Sequence, residues 1–167
     1  MKNNIVLIGF MGSGKSTVGK AIAESLHMPF YDLDSYIEEK QNMTISEIFE
    51  NFGEEHFRNI ESLVAAELSS KDKVVISCGG GTVLRKENAD VLKSNAKVFY
   101  LQVDTKTVIK RLENDCSRPL LQREDKQAEI SRLLSLRKPI YEAACDYKID
   151  ATCETEEIVS EIIKLFT

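Results

Sequence analysis

No stretch of this 167-residue chain carries the ~20 consecutive apolar residues that would cross a bilayer as a helix, so a membrane-spanning helix is not expected. The two histidines (His27, His56) and four cysteines (Cys78, Cys116, Cys145, Cys153) hold no CxxC pair, which argues against a cysteine-ligated metal. Free thiols in a reducing cytoplasm are the simplest account of the cysteines. An excess of positive charge is also missing. The net charge of −5, with acids and bases interleaved, argues against a non-specific nucleic-acid surface and leaves room only for a local basic pocket. There is no internal repeat, no low-complexity linker and no N-K-x-D motif, so a solenoid, a tethered array and a guanine-nucleotide switch lack support. The first apolar run starts at Ile5, which leaves no expected room for a targeting peptide. Hydrophobic content of 43% with 29% charged residues fits one globular domain over 1–167, long enough for a sizeable core.

What is present is organised around Gly9-Phe10-Met11-Gly12-Ser13-Gly14-Lys15-Ser16, which fits the phosphate-binding loop G-x-x-x-x-G-K-[ST]. Ile5–Ile8 before it reads as a buried parallel strand, and Val18, Ile22 and Leu26 after it mark one face of a helix. The glycines let the backbone curl so that several N–H groups meet one anion, and the helix starting near Lys15 points its positive end there. Lys15 reaches phosphate as a point charge, and Ser16 offers a hydroxyl to Mg²⁺. A glycine-rich turn joining strand to helix is the plainer alternative, which the Lys-Ser pair and the flanking pattern oppose.

The rest of the chain alternates strand and helix. Phe30–Asp34 reads as a short strand ending in carboxylates, followed by a brief helix over Ser35–Lys40. Thr44–Glu47 fits a capping box opening a helix that breaks at Gly53, and Glu54–Leu68 is a second helix. Lys73–Ser77 is a strand running into Gly79-Gly80-Gly81, Lys86–Lys93 a helix, Val98–Leu101 a strand and Thr105–Asn114 a helix. Asp115–Lys126 shows no period and reads as a loop, Glu129–Ala144 as a helix, Tyr147–Ile149 as a strand, and Ile158, Ile162 and Leu165 mark a last helix. Such alternation predicts an α/β fold with a parallel sheet covered on both faces and ligands at the strand C-termini.

Several side chains gather at that predicted edge. Asp32 and Asp34 share a face if the strand continues, so one carboxylate could serve Mg²⁺ and the other a substrate hydroxyl; alternatively Asp34 caps the helix after it. Gly79–Gly81 admits close approach of backbone to a ligand, or is a loose turn. Arg118, fixed before Pro119, is a candidate phosphoryl clamp, whereas Arg123 reads better as solvated charge. Arg58 with Glu61 at i+3 is either a surface ion pair or a carboxylate-binding arginine held in place. Arg137, among Leu133, Leu134 and Tyr141, is either a snorkelling surface residue or a ligand.

Taken together, GFMGSGKST at 9–17, Asp32-Leu33-Asp34, Phe57-Arg58 with Glu61, Gly79–Gly81, Arg118-Pro119-Leu120-Leu121 and Arg137 with Tyr141 resemble the shikimate kinase family of nucleoside-monophosphate-kinase-like P-loop proteins, over nearly the whole chain. The resemblance implies a three-layer α/β/α fold with a five-stranded parallel sheet in the order 2-3-1-4-5, and phosphorylation of the 3-hydroxyl of shikimate by ATP. It implies that Asp34 binds that hydroxyl as its base, that Arg58 and Arg137 grip the carboxylate, and that Gly79, Gly80 and Gly81 contact ring hydroxyls. Gly12, Ser13, Gly14, Lys15, Ser16, Thr17, Arg111 and Arg118 would bind ATP, with Arg111 on adenine and with Lys15 and Arg118 neutralising the transferring phosphoryl. Ser16 and Asp32 would serve one Mg²⁺ per subunit, 34–61 would be the shikimate-binding segment and 115–123 the lid. A cytoplasmic monomer with no nucleic-acid or membrane partner is implied. Many family members have a proline before the last helix; Ala151-Thr152-Cys153-Glu154 has none, which leaves adenine contacts there undefined. Another small-acid kinase, such as a gluconate kinase, and a nucleotide-binding module without catalysis are the competing readings. The set Lys15, Ser16, Asp32, Asp34 and Arg118 argues against the latter.

Overall fold

The apolar run at the start of the chain becomes the centre of a sheet. β1 (Asn4–Ile8) is buried at every position, and each of its four apolar side chains contributes ~1.5–3 kcal/mol by leaving water. In the computed structural model, which describes residues 2–113 and 125–167, β1 pairs in parallel with β3 (Val75–Ser77) on one side and β4 (Ala96–Gln102) on the other. The edges are β2 (Phe30–Asp32) beside β3 and β5 (Tyr147–Asp150) beside β4, giving the order β2-β3-β1-β4-β5. This is the expected five-stranded parallel sheet.

Helices cover both faces. α1 (Lys15–Leu26) and α8 (Thr155–Phe166) pack on one another. α4 (Glu54–Ser69), α5 (Lys86–Asn95) and α7 (Lys126–Ala144) form a second packed set, with α6 (Thr105–Leu112) against α7. α2 (Leu33–Gln41) and α3 (Ile45–Phe52) connect β2 to α4. The predicted capping box is present: Thr44 Oγ1 accepts from Glu47 N at 3.2 Å, and Glu47 Oε2 accepts from Thr44 N at 2.7 Å. Such a cap satisfies two donors that the first helical turn leaves unpaired.

Among the boundaries that differ from the sequence expectation, one moves a site residue. The strand holding the carboxylates stops at Asp32, opposite Ser77 in the register, and Leu33 opens α2. Asp32, not Asp34, is the N-cap, accepting from Ser35 N at 3.0 Å. Asp34 lies in the first turn of α2, so the two carboxylates do not share a strand face. Both residues are competent caps by type; Asp32 takes the role because its other oxygen is fixed by Ser16 on α1. A 3₁₀ turn over Thr82–Leu84, absent from the sequence expectation, follows the glycine run.

Candidate active site

The loop between β1 and α1 forms the phosphate end. Gly12 and Gly14 take φ of +78° and +89°, a region that side chains rarely enter, and Gly14 opens α1. The Lys15 ammonium is buried and donates to Gly9 O at 2.8 Å, Phe10 O at 2.9 Å and Ser13 Oγ at 3.3 Å. It is thus tethered across the loop it follows. Thr17, on the first turn of α1, is exposed. Ser16 Oγ donates to Asp32 Oδ2 at 2.5 Å and lies 3.5 Å from the buried Ser77 hydroxyl at the end of β3. The pair Ser16–Asp32 is an all-oxygen donor set beside a phosphate loop, which suits Mg²⁺ better than a softer ion. Among the described residues there is no cluster of three or more His, Cys, Asp or Glu arranged to hold a metal. A magnesium ion here would therefore take most of its ligands from water and phosphate, as this ion commonly does.

Beside this loop, three charged side chains converge on the glycine run from three different elements. A Cβ on Gly79 would sit 2.7 Å from Asp34 Oδ1, and one on Gly81 would sit 2.5 Å from Arg58 Nη1. A Cβ on Gly80 would lie 3.5 Å from Arg137 Nη1. None of these glycines has positive φ, so what they provide is room and not a left-handed turn. The loose-turn reading is thereby replaced by close approach of the chain's own charged groups. Arg58 is a structured ion pair and not a solvated one: Nη1 donates to Glu61 Oε1 at 2.8 Å, and Glu61 is only 1% exposed. Phe57 lies against the guanidinium, 5.3 Å from its ring centroid to the carbon, and packs on Phe49 in a tilted pair with centroids 4.8 Å apart. Arg137 is half-buried with its guanidinium 5.7 Å from the Phe10 ring centroid, so it does not snorkel into solvent.

Tyr141, one helical turn beyond Arg137, donates its hydroxyl to Gly80 O at 2.6 Å and packs on Tyr100. Burial pushes its hydroxyl pKa up to about 12, so it remains a donor across the neutral range. Burial, reinforced by the nearby Glu61 carboxylate, likewise pushes the Cys78 thiol far above its ordinary value, which makes it an inert core group. Tyr141→Phe removes one hydrogen bond from the glycine run. We expect a loss of ~1 kcal/mol, read as a melting temperature about 2–4 °C lower, with the same fold by circular dichroism.

Arg111, for which the resemblance implies an adenine contact, is an exposed residue of α6. Its guanidinium donates from Nη1 to Gly12 O at 3.1 Å and from Nη2 to Ala151 O at 2.7 Å, bridging the P-loop and the loop before α8. Of the residues named from sequence, Asp32, Asp34, Arg58, Arg137, Lys15, Ser16 and the glycines are brought to one sheet edge. Arg118, Arg123, Cys116 and the remainder of 115–123 lie outside the described residues. Sequence reasoning missed Ser77, Thr82 and the Tyr141–Gly80 bond. Ser77 and Thr82 are small polar residues next to the glycine run, and only their burial distinguishes them.

Comparison with known proteins gives a consistent picture. The family model for shikimate kinase matches residues 11–167. The shikimate kinase of Caldicellulosiruptor bescii is 45% identical over 160 residues, covering 96% of this chain and 92% of the relative. That of Thermodesulfovibrio yellowstonii is 46% identical over 162 residues, covering 96% and 93%. Among solved structures, the shikimate kinase of Acinetobacter baumannii in complex with shikimate superposes with a TM-score of 0.93 at 37% identity, covering 98% of this chain and 92% of that one.

Proposed function

The chain belongs to the shikimate kinase family, and on that footing we propose that its site transfers the γ-phosphoryl group of ATP to the 3-hydroxyl of shikimate, giving shikimate 3-phosphate and ADP in aromatic amino-acid biosynthesis. The observation that carries the assignment of roles is the convergence of Asp34, Arg58 and Arg137 on Gly79–Gly81 beside the P-loop. Two guanidiniums and one carboxylate around a small concavity suit an acceptor with its own carboxylate and a reacting hydroxyl.

In this reading Arg58 and Arg137 bind the acceptor carboxylate, and Gly79–Gly81 contact ring hydroxyls. Asp34 orients the 3-hydroxyl and takes its proton as the oxygen–phosphorus bond forms and the β–γ bridging bond breaks. The transition state spreads charge over the transferring oxygens, so most of the acceleration comes from positioning and from fixed cations. Lys15 and Arg118 supply the latter, while Gly12, Ser13, Gly14, Ser16, Thr17 and Arg111 hold the nucleotide. Ser16 and Asp32 would hold Mg²⁺, which would supply neutralisation of phosphate charge. We read 1–167 as one domain, with 34–61 as the acceptor-binding segment and 115–123 as the lid. No described helix is long and apolar enough to cross a membrane, and a cytoplasmic monomer is the assembly we propose.

The test is ADP release by the purified protein with Mg-ATP, with and without shikimate, and with gluconate as the control acid. Release dependent on shikimate alone is expected. Background release with both acids, while ATP still binds, would overturn the substrate assignment.

A further inference from the structure

The buried end of Arg58 is held by more than its ion pair. Glu61 is an acceptor-only group at 1% exposure, and each of its oxygens has a donor. Oε1 takes Arg58 Nη1 at 2.8 Å, and Oε2 takes Thr82 Oγ1 at 2.9 Å. Thr82 is itself completely buried and tied at two further atoms. Its N donates to Gly79 O at 3.2 Å, and its O accepts from the buried Asn88 Nδ2 at 2.8 Å. The 3₁₀ turn thus presents a fixed hydroxyl to a fixed carboxylate.

We propose that Thr82 is a positioning residue for the acceptor's carboxylate, acting through Glu61 on Arg58. The inference rests on the shikimate kinase reading and goes beyond it by adding a residue that touches no substrate. With Thr82 on one Glu61 oxygen and Arg58 Nη1 on the other, the carboxylate does not grip the guanidinium through both oxygens, and the fork lies over Gly81. Among the described residues, the ion-pair partner of Nη2 is the exposed Glu54 carboxylate at 3.6 Å, a weak screened contact. Without the Thr82 hydroxyl, Glu61 Oε2 is a dry acceptor that has lost its donor, and the Arg58 fork, already bonded to Oε1, turns to supply one. The fork then turns inward and substrate binding weakens, while the reacting atoms at Asp34 and the P-loop keep their places.

The experiment is steady-state kinetics of Thr82→Val and Thr82→Ser, each also in an Arg58→Ala background. The valine variant should raise the KM for shikimate about tenfold, with kcat and the KM for ATP within about twofold of the unmodified protein. The serine variant should restore the KM. In the Arg58→Ala background the valine substitution should add nothing, because the residue it acts through is gone. Thr82→Ala, which removes the hydroxyl without adding a methyl, carries the same expectation if the valine variant does not fold. An unchanged KM for shikimate, a loss in kcat instead, or an equal rise in KM with and without Arg58 would each overturn the proposal. An unmodified protein inactive on shikimate would overturn the functional reading instead, so the two failures are distinct.

Discussion

Asp34→Asn should lower kcat for shikimate phosphorylation by at least ~10²-fold, and by as much as ~10⁴-fold, while leaving ATP affinity unchanged. Asparagine keeps the shape of the side chain and its place against Gly79, where a Cβ would approach Asp34 Oδ1 to 2.7 Å. It cannot take the proton of the acceptor hydroxyl. Asp34 lies in the first turn of α2 against Gly79, outside the Gly9–Ser16 loop that we propose holds the nucleotide phosphates. Single-turnover assays and isothermal titration with ATP separate the two effects. Turnover equal to that of the unmodified protein would remove Asp34 from the chemistry.

The second large effect is expected at a residue with no side chain. Gly81→Ala places a methyl 2.5–2.8 Å from three atoms of the Arg58 guanidinium. Because Gly81 has φ of −104°, alanine meets no backbone strain there. The atoms it meets are the far end of a flexible side chain, so the fold yields easily and Arg58 moves. Losing a charge-assisted contact to the acceptor carboxylate costs about 1.5–3 kcal/mol, hence a KM for shikimate about 10–100-fold higher. The melting temperature should stay within a few degrees. A normal KM would mean that Arg58 does not grip the acceptor from its position beside Gly81.

The two predictions differ in how far sequence could support them. The P-loop was legible because its whole function is contiguous: strand, glycines, lysine and serine follow one another, and each neighbour confirms the next. The acceptor end was not. Asp34, Arg58, Gly81 and Arg137 come from four separate segments, and each has an ordinary structural explanation when considered alone. Only family resemblance joined them before the fold did. Where pattern was ambiguous, tertiary contact decided: Asp32 and Asp34 can both cap a helix, and the Ser16 hydrogen bond selects Asp32. Thr82 and the Tyr141–Gly80 bond were invisible for another reason. A threonine after glycine and a tyrosine on a helix carry no period or spacing that announces a hydrogen bond; their partners are fixed only when α4 and α7 pack against the glycine run and its 3₁₀ turn.

The strand order also has a consequence for synthesis. β1 is made before both strands that flank it: Ile5 waits for Val75 on one side and Lys97 on the other. At ~5–20 residues per second of translation, roughly 4–20 s separate β1 from its neighbours. During that interval Ile5, Val6, Leu7 and Ile8, all but absent from the finished surface, have no sheet to join. A nascent chain with this topology leaves an apolar segment unpaired until β3 and β4 emerge, and over the same interval the phosphate loop that follows β1 lacks the sheet that holds it.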